Sequence, residues 1–369
     1  MTPSPPLRIP DYAGGSLPNL VAELEQRLTG TSRFAPLHPH LARLIPPAST
    51  YILLMIDGLG ALGPGTGLPA TAQKGTLDAP FPTTTTVGLA TVATGLPPAG
   101  HGILGHQMLL KGYPRPVNLL RWVDSTGKKV PPNLSILPRP NLWDRLAEAG
   151  IEPIAVQPQS YANSPFTKVM YQGCRFEGVE GPSDFSQAVV DLARPRRRLI
   201  FAYFPEVDVA AHTKGFDSDD YRKAVSQIVD TWETLSALLP SHARLVGTSD
   251  HGLVKITPDH KFRIKKHSYR GLDLFGDPRA LYVRGPAEEI ARLGRRLPAV
   301  WYPFEDIRPW WGPIGREPEI EWLIPPDGVF LADPDRVLLP GHMDRRMVGY
   351  HGGLDPREVG IPLLVGDPR

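Results

Sequence analysis

Three apolar runs, each followed closely by an acidic residue, constrain this chain more than any other feature of its sequence. Residues 51–56 read YILLMI and stop at Asp57-Gly58, residues 199–204 read LIFAYF and lead through Pro205 to Asp208, and residues 245–248 run into Ser249-Asp250-His251-Gly252. Short continuous apolar runs of this kind mark strands buried on both faces, the usual condition of a parallel sheet. Helix signals alternate with them. Residues 141–149 (NLWDRLAEA) are stopped by Gly150, and residues 221–239 carry an apolar stripe through Ala224, Val225, Ile228, Trp232 and Leu235 before Pro240. Residues 17–28 add an amphipathic helix ended by Gly30, and residues 151–156 and 361–365 add further strands. The alternation predicts an α/β fold, a mostly parallel central sheet flanked by helices. From about residue 254 to 343 the rhythm breaks into basic, Trp/Pro-rich and strand-like pieces. The expected organisation is one domain over residues 1–369 with an inserted smaller lobe at 254–343.

Composition narrows the function classes. A formal net charge of +2 gives no overall field to hold a nucleic acid polymer or an anionic membrane. The one basic run, residues 194–198 (RPRRR), reads as a solvated loop before a strand. A single Cys174 excludes a disulfide framework and a cysteine metal cluster, and reads as a small buried apolar side chain. No apolar run is long enough to span a bilayer, and the opening MTPSPP has prolines where a signal peptide needs apolar residues, so the expected compartment is the cytoplasm.

A carboxylate at the carboxyl end of a buried parallel strand lies on the edge where α/β sheets bind ligands. Asp57 is so placed. Asp208 and His212 are four residues apart and project from one face of a helical turn. Asp250 and His251 offer adjacent oxygen and nitrogen, and His351 lies in YHGG before the last strand. Three carboxylates and three imidazoles without a thiolate suit two divalent ions, Zn²⁺ or else Mn²⁺. Two such ions serve in-line phosphoryl displacement and can ionise a hydroxyl. The run FPTTTTVGLATVATG at residues 81–95 supplies hydroxyls at a helix start, where a threonine caps the helix and the positive end of the dipole favours anions. Residues 58–63 also fit GxGxxG after a strand, with Asp78 near the spacing of a ribose-binding acid, but Pro64, Gly65, Gly67 and Pro69 leave no helix to follow.

Taken in order, MIDGLG, FPTTTTVGLATVATGLPPAGHGI, YFPEVDVAAHTKGF, SDHGL and YHGGL make the chain resemble the alkaline phosphatase superfamily, most closely its nucleotide pyrophosphatase/phosphodiesterase branch. The resemblance implies an alkaline-phosphatase-like fold and a hydrolase of small phosphate esters. It implies Thr85 as nucleophile, one metal on Asp208, His212 and His351, and another on Asp57, Asp250, His251 and Thr85. Thr84 and Thr86 remain alternatives in register. The family commonly places an aromatic residue, a proline and an asparagine after its nucleophile, where this chain has Thr86, Val87 and Gly88. Gly88 then leaves the phosphoryl oxygens one side-chain donor short, and a surface for stacking a nucleobase is missing. The expected activity is that of a phosphodiesterase or pyrophosphatase working through a phosphothreonine. Phosphomonoester or phosphonoacetate-type C–P hydrolysis, and a non-catalytic metal-stabilised binding protein, are the alternatives.

Overall fold

The computed structural model describes residues 7–61, 68, 72–313, 320–341, 343 and 346–366. The proline-rich start at residues 1–6 and most of the glycine/proline stretch after Ala61 lie outside the described residues. At the centre is a seven-stranded sheet, whose strands in chain order are β1 (Thr50–Ile56), β2 (Gln73–Asp78), β3 (Glu152–Pro158), β4 (Arg175–Val179), β5 (Arg198–Phe204), β6 (Ala243–Thr248) and β7 (Gly360–Val365). Their spatial order is β2-β7-β6-β1-β5-β3-β4. β1 pairs in parallel with β5 and β6, and β3 does so with β5 and β4. β7 runs antiparallel to both its neighbours.

The apolar run of β1 is buried on both faces because its side chains alternate between two cores. Tyr51, Leu53 and Met55 pack with α1 (Leu17–Thr29) and α2 (Thr85–Thr94), together with α3 (Leu142–Glu148). Ile52, Leu54 and Ile56 pack with α4 (Pro182–Ala193), α5 (Glu206–Thr213) and α6 (Asp219–Leu238). Local signals set the helix ends. Gly30 ends α1 at φ 88°, the left-handed conformation that glycine adopts without strain. The Asn141 side chain accepts from Asp144 N at 3.0 Å at the start of α3, and Ser218 does the same for Tyr221 N at 3.1 Å in α6.

Two strands and one helix go beyond the sequence reading. β2, QKGTLD, and β4, RFEGV, are edge strands with polar and glycine content, so neither carries the apolar run that betrays a central strand. α4 starts at Pro182. Of the basic run, Arg194 and Arg196 are exposed, while Arg198 begins β5 and pairs with Glu152 at 2.5 Å. Cys174 is only half-buried, with its thiol pushed up by burial.

Between β6 and β7 the chain builds a second, four-stranded antiparallel sheet from Asp273–Gly276, Ala280–Arg284, Gly328–Ala332 and Ala299–Pro303. One face of it, with Phe275, Tyr282, Val329 and Leu331, joins the main core. The other face, with Leu274, Leu281, Val283 and Phe330, closes a core of its own against Ile290 and Leu293.

From Thr86 to Thr94 α2 is buried, and one clamp on it is His101. This ring accepts from Ile103 N through Nδ1 at 3.1 Å and so presents Nε2–H to the Thr91 hydroxyl at 3.1 Å. Burial pushes the imidazole down to about 3. Below about pH 6.5 the unfolded chain takes up a proton here that the folded chain refuses, so stability falls as pH drops from 6.5 toward 3, by about 1.4 kcal/mol per unit. In urea unfolding, His101→Gln is expected to flatten the loss between pH 6.5 and 5 by about 2 kcal/mol. An unchanged slope would assign the acid sensitivity to other groups.

Candidate metal and nucleophile site

The acidic residues after β1, β5 and β6 meet at the carboxyl edge of the sheet, where the connections from the central strand diverge to either side. Asp57 N bonds back to Phe204 O at 3.0 Å, which ties the first two strand ends together. Gly58 N donates to Asp250 Oδ1 at 3.2 Å and Leu59 N to Ser249 Oγ at 3.1 Å, which ties β1 to β6. The described glycines Gly58 and Gly60 therefore form a turn against the β6 loop, and no helix starts on them. Gly58 has φ 70°, and a Cβ there would lie 2.9 Å from Asp208. Only a glycine allows that approach.

Asp208 and His212 share one face of α5, with His212 Nε2 3.2 Å from Asp208 Oδ2. His212 Nδ1 contacts Gly349 O at 2.7 Å, His351 Nδ1 contacts Thr83 O at 2.8 Å, and His251 Nδ1 contacts Gly252 O at 3.2 Å. A carbonyl oxygen only accepts, so each Nδ1 is the donor, and in the neutral ring the Nε2 carries the lone pair. The three lone pairs converge. His351 Nε2 faces His212 Nε2 at 3.1 Å, and the His251 and His351 rings stack at a centroid distance of 3.8 Å. His251 Nε2 lies 3.5 Å from Asp57 Oδ1, 3.6 Å from Asp250 Oδ2 and 3.2 Å from Thr85 Oγ1.

The electrostatics of the cluster are unfavourable as they stand. Asp57, Asp208 and Asp250 are buried, and Asp57 Oδ1, Asp208 Oδ1 and Asp250 Oδ2 have no hydrogen-bond partner among the described residues. Burial, then Asp250 and Asp208, push the Asp57 carboxyl well above its ordinary range, against a bond from the Tyr203 hydroxyl to Asp57 Oδ2. Burial also raises Asp208, opposed by His212 and His251. Burial, followed by His251 and His212, holds His351 well below its ordinary range, so it stays neutral. Unpaired carboxylate oxygens beside imidazole lone pairs are stabilised by cations. The spacing fits as well: ligand bonds of about 2.0–2.1 Å in tetrahedral geometry put neighbouring donors about 3.3 Å apart. Donor atoms of Asp57, Asp250 and His251 lie within 4.8 Å of one another, as do those of Asp208, His251 and His351. His212, at 3.2 Å and 3.1 Å from Asp208 and His351, belongs to the same cluster.

Thr85 is the first residue of α2 and the one member of the threonine run that is not buried. Thr84 is the residue before the helix, but its hydroxyl makes no capping bond; its carbonyl accepts from Val87 N and Gly88 N, both at 3.0 Å. The hydroxyl cap read from the sequence is thus replaced by a backbone one. Thr84 and Thr86 are 1% and 0% exposed, which leaves Thr85 as the accessible hydroxyl. Gly88 is where the helix backbone passes Asp250: a Cβ there would lie 2.5 Å from Asp250 Cβ. The missing side chain has a packing cause, because any substituent would displace Asp250.

Other residues at the site had no sequence signal. Tyr203 reads locally as one more core aromatic. His106 lies near His212 and His351 and accepts through Nε2 from Asn118 Nδ2 at 2.8 Å, since Asn118 Oδ1 is taken by Arg121 N at 3.1 Å. Burial, with Arg121 and His212, pushes His106 down to about 4. Of the lysines that follow these strand ends, Lys255 pairs with Asp217, Lys261 donates to Met347 O at 2.6 Å, and Lys214 is exposed.

A family model described as type I phosphodiesterase / nucleotide pyrophosphatase matches residues 68–285. Among solved structures, murine ectonucleotide pyrophosphatase/phosphodiesterase 5 superposes with a TM-score of 0.66 at 17% identity, over 85% of this chain and 87% of that one. An inactive variant of the same murine protein in complex with AMP gives 0.64 at 16% identity, over 86% and 88%. Phosphonoacetate hydrolase from Sinorhizobium meliloti 1021, in complex with phosphonoacetate, gives 0.62 at 17% identity, over 87% and 91%. No curated protein matches the chain at a significant level of sequence similarity.

Proposed function

Because the chain belongs to the type I phosphodiesterase/nucleotide pyrophosphatase family, we propose that it hydrolyses small phosphodiesters or pyrophosphates through a phosphothreonine on Thr85. The observation that carries this reading is the convergence of three unpaired carboxylate oxygens and three imidazole lone pairs beside one accessible hydroxyl. Asp208, His212 and His351 would hold one divalent ion, and Asp57, Asp250, His251 and Thr85 the other, with Zn²⁺ ahead of Mn²⁺ on the donor set. When bound, the ions would supply positive charge for the phosphoryl oxygens and lower the pKa of a coordinated hydroxyl.

The chain's own part begins with Thr85: its Oγ1 bonds to phosphorus as the bond to the leaving oxygen breaks, and the hydroxyl proton ends on that oxygen, which departs as an alcohol from a diester or as a phosphate from a pyrophosphate. Water then cleaves the phosphorus–Oγ1 bond, which restores the hydroxyl and releases phosphate or its monoester. The amino end of α2 faces the developing negative charge with its free amides. Gly88 enters the proposal on the substrate side: with Asp250 packed against it, the helix presents no side chain there, and its own amide is already bonded to Thr84 O.

A dianionic monoester calls for additional fixed cations, and the engagements of Lys255 and Lys261 elsewhere favour diesters. The test compares purified enzyme on bis-p-nitrophenyl phosphate, p-nitrophenyl phosphate and phosphonoacetate, with and without Zn²⁺ or Mn²⁺. Diester turnover is expected to exceed monoester turnover at least about tenfold, a difference of about 1.4 kcal/mol in barrier. A monoester or phosphonoacetate preference would overturn the diester assignment, and hydrolysis indifferent to divalent metal would overturn the mechanism.

A further inference from the structure

We infer that Arg279 and Glu358 are positioning residues that set the spacing of His251 and His351, so that the second sheet holds the metal-binding loops in register. The inference rests on the two-metal reading above and concerns residues that touch neither substrate nor ion. Arg279 lies in the turn that joins Asp273–Gly276 to Ala280–Arg284, and it is 3% exposed; Glu358, in the segment before β7, is 0% exposed. The guanidinium grips Glu358 Oε2 from Nη2 at 2.7 Å and Nε at 3.2 Å, while Nη1 donates to the carbonyls of Asp333 at 3.0 Å and Arg336 at 2.8 Å. Four of the five guanidinium N–H groups are thereby committed, which fixes one orientation.

Glu358 passes that orientation on twice. Its Oε1 accepts from Gly353 N at 2.8 Å, two residues beyond His351, and its backbone carbonyl accepts from Gly252 N at 2.8 Å, one residue beyond His251. One residue thus holds the loops of both stacked rings. A Cβ on Gly353 would lie 2.9 Å from Glu358 Oε2, so the carboxylate presses directly on that loop. The same turn makes a second contact through Asp277, whose Oδ2 accepts from His106 N at 3.1 Å and whose Cβ stands 2.6 Å from where a Cβ on Gly352 would be. Thr83 completes the frame. Its hydroxyl accepts from Gly352 N at 3.1 Å and donates to Gly353 O at 3.0 Å, beside its carbonyl bond to His351.

The test uses the full chain with two substitutions: Arg279→Lys, which keeps the charge but loses the fork, and Arg279→Met with Glu358→Gln, which removes both charges and keeps an acceptor for Gly353 N. Zn²⁺ affinity is titrated against a chromophoric chelator, and the imidazole ¹H–¹⁵N resonances are compared in metal-free protein. Both variants are expected to shift the His251 and His351 resonances and to weaken at least one Zn²⁺ step by about tenfold or more. A role confined to general stability would lower the unfolding midpoint and leave both readouts of the folded protein where they were, which would overturn the inference. If Arg279→Lys does not fold, the paired substitution decides. If wild type binds no Zn²⁺, the two-metal reading fails, and the resonance shifts in metal-free protein still decide this one.

Discussion

Thr85→Ala is expected to lower kcat on a phosphodiester by at least about three orders of magnitude while the protein stays folded and retains most of its metal binding. The size follows from the attacking atom being the one deleted: no neighbouring hydroxyl is placed to take over. Thr84 and Thr86 are buried on either side, and Thr83 is engaged with Gly352 and Gly353. Retention of metal follows from what remains, since Asp57, Asp250 and His251 still meet at the same point. The fold should tolerate the change because, among the described residues, the hydrogen-bond partner of Thr85 Oγ1 is the His251 ring. Single-turnover assays with a chromogenic diester, alongside metal analysis of the purified variant, check both halves. Activity near wild type would move the nucleophile away from Thr85, and loss of metal together with activity would make Thr85 chiefly a ligand.

Asp250→Asn should separate function from stability in opposite directions. Asp250 Oδ1 accepts from Gly58 N and His251 N, at 3.2 and 3.0 Å, and an asparagine oxygen can do the same. What changes is Oδ2, the unpaired oxygen that helps push Asp57 upward. Metal affinity is expected to fall about 100-fold or more, since even partners outside the ligand set are worth 10- to 100-fold. The metal-free protein, relieved of one of three crowded carboxylates, should melt higher, by about 2 °C per kcal/mol of repulsion removed. Melting curves with and without chelator would show the variant above wild type when stripped and below it when loaded with Zn²⁺. An unchanged affinity would take Asp250 out of the ligand set.

The contrast between these residues and their supports shows what the sequence could disclose. Asp57, Asp250 and His251 stand out because a polar residue at the end of an apolar strand has few structural uses, and Asp208 does so through its i, i+4 spacing to His212 just beyond another such strand. The central strands were legible for the same reason. β2 and β4 were not, because an edge strand needs no continuous apolar run and theirs are polar. Tyr203 was hidden by its neighbours, since LIFAYF reads as core throughout, and only pairing with Asp57 across the sheet gives its hydroxyl a purpose. Arg279 and Glu358 are 79 positions apart, and nothing local to either tells a buried charge from a solvated one. Gly88 was noticed for what it lacks beside the phosphate, yet its cause lies in Asp250, brought against it by the fold.

The position of β7 carries a consequence for how the molecule is made. Among the described residues β7 is the last strand, yet it lies between β2 and β6 and bridges them. During synthesis β2 therefore has no sheet partner until residues 360–365 emerge, and His351 arrives just ahead of them. Until then a nascent chain holds an open sheet edge at β6, a state that invites chaperone protection. The His351 ring then reaches His212 and His251 only as the closing strand docks.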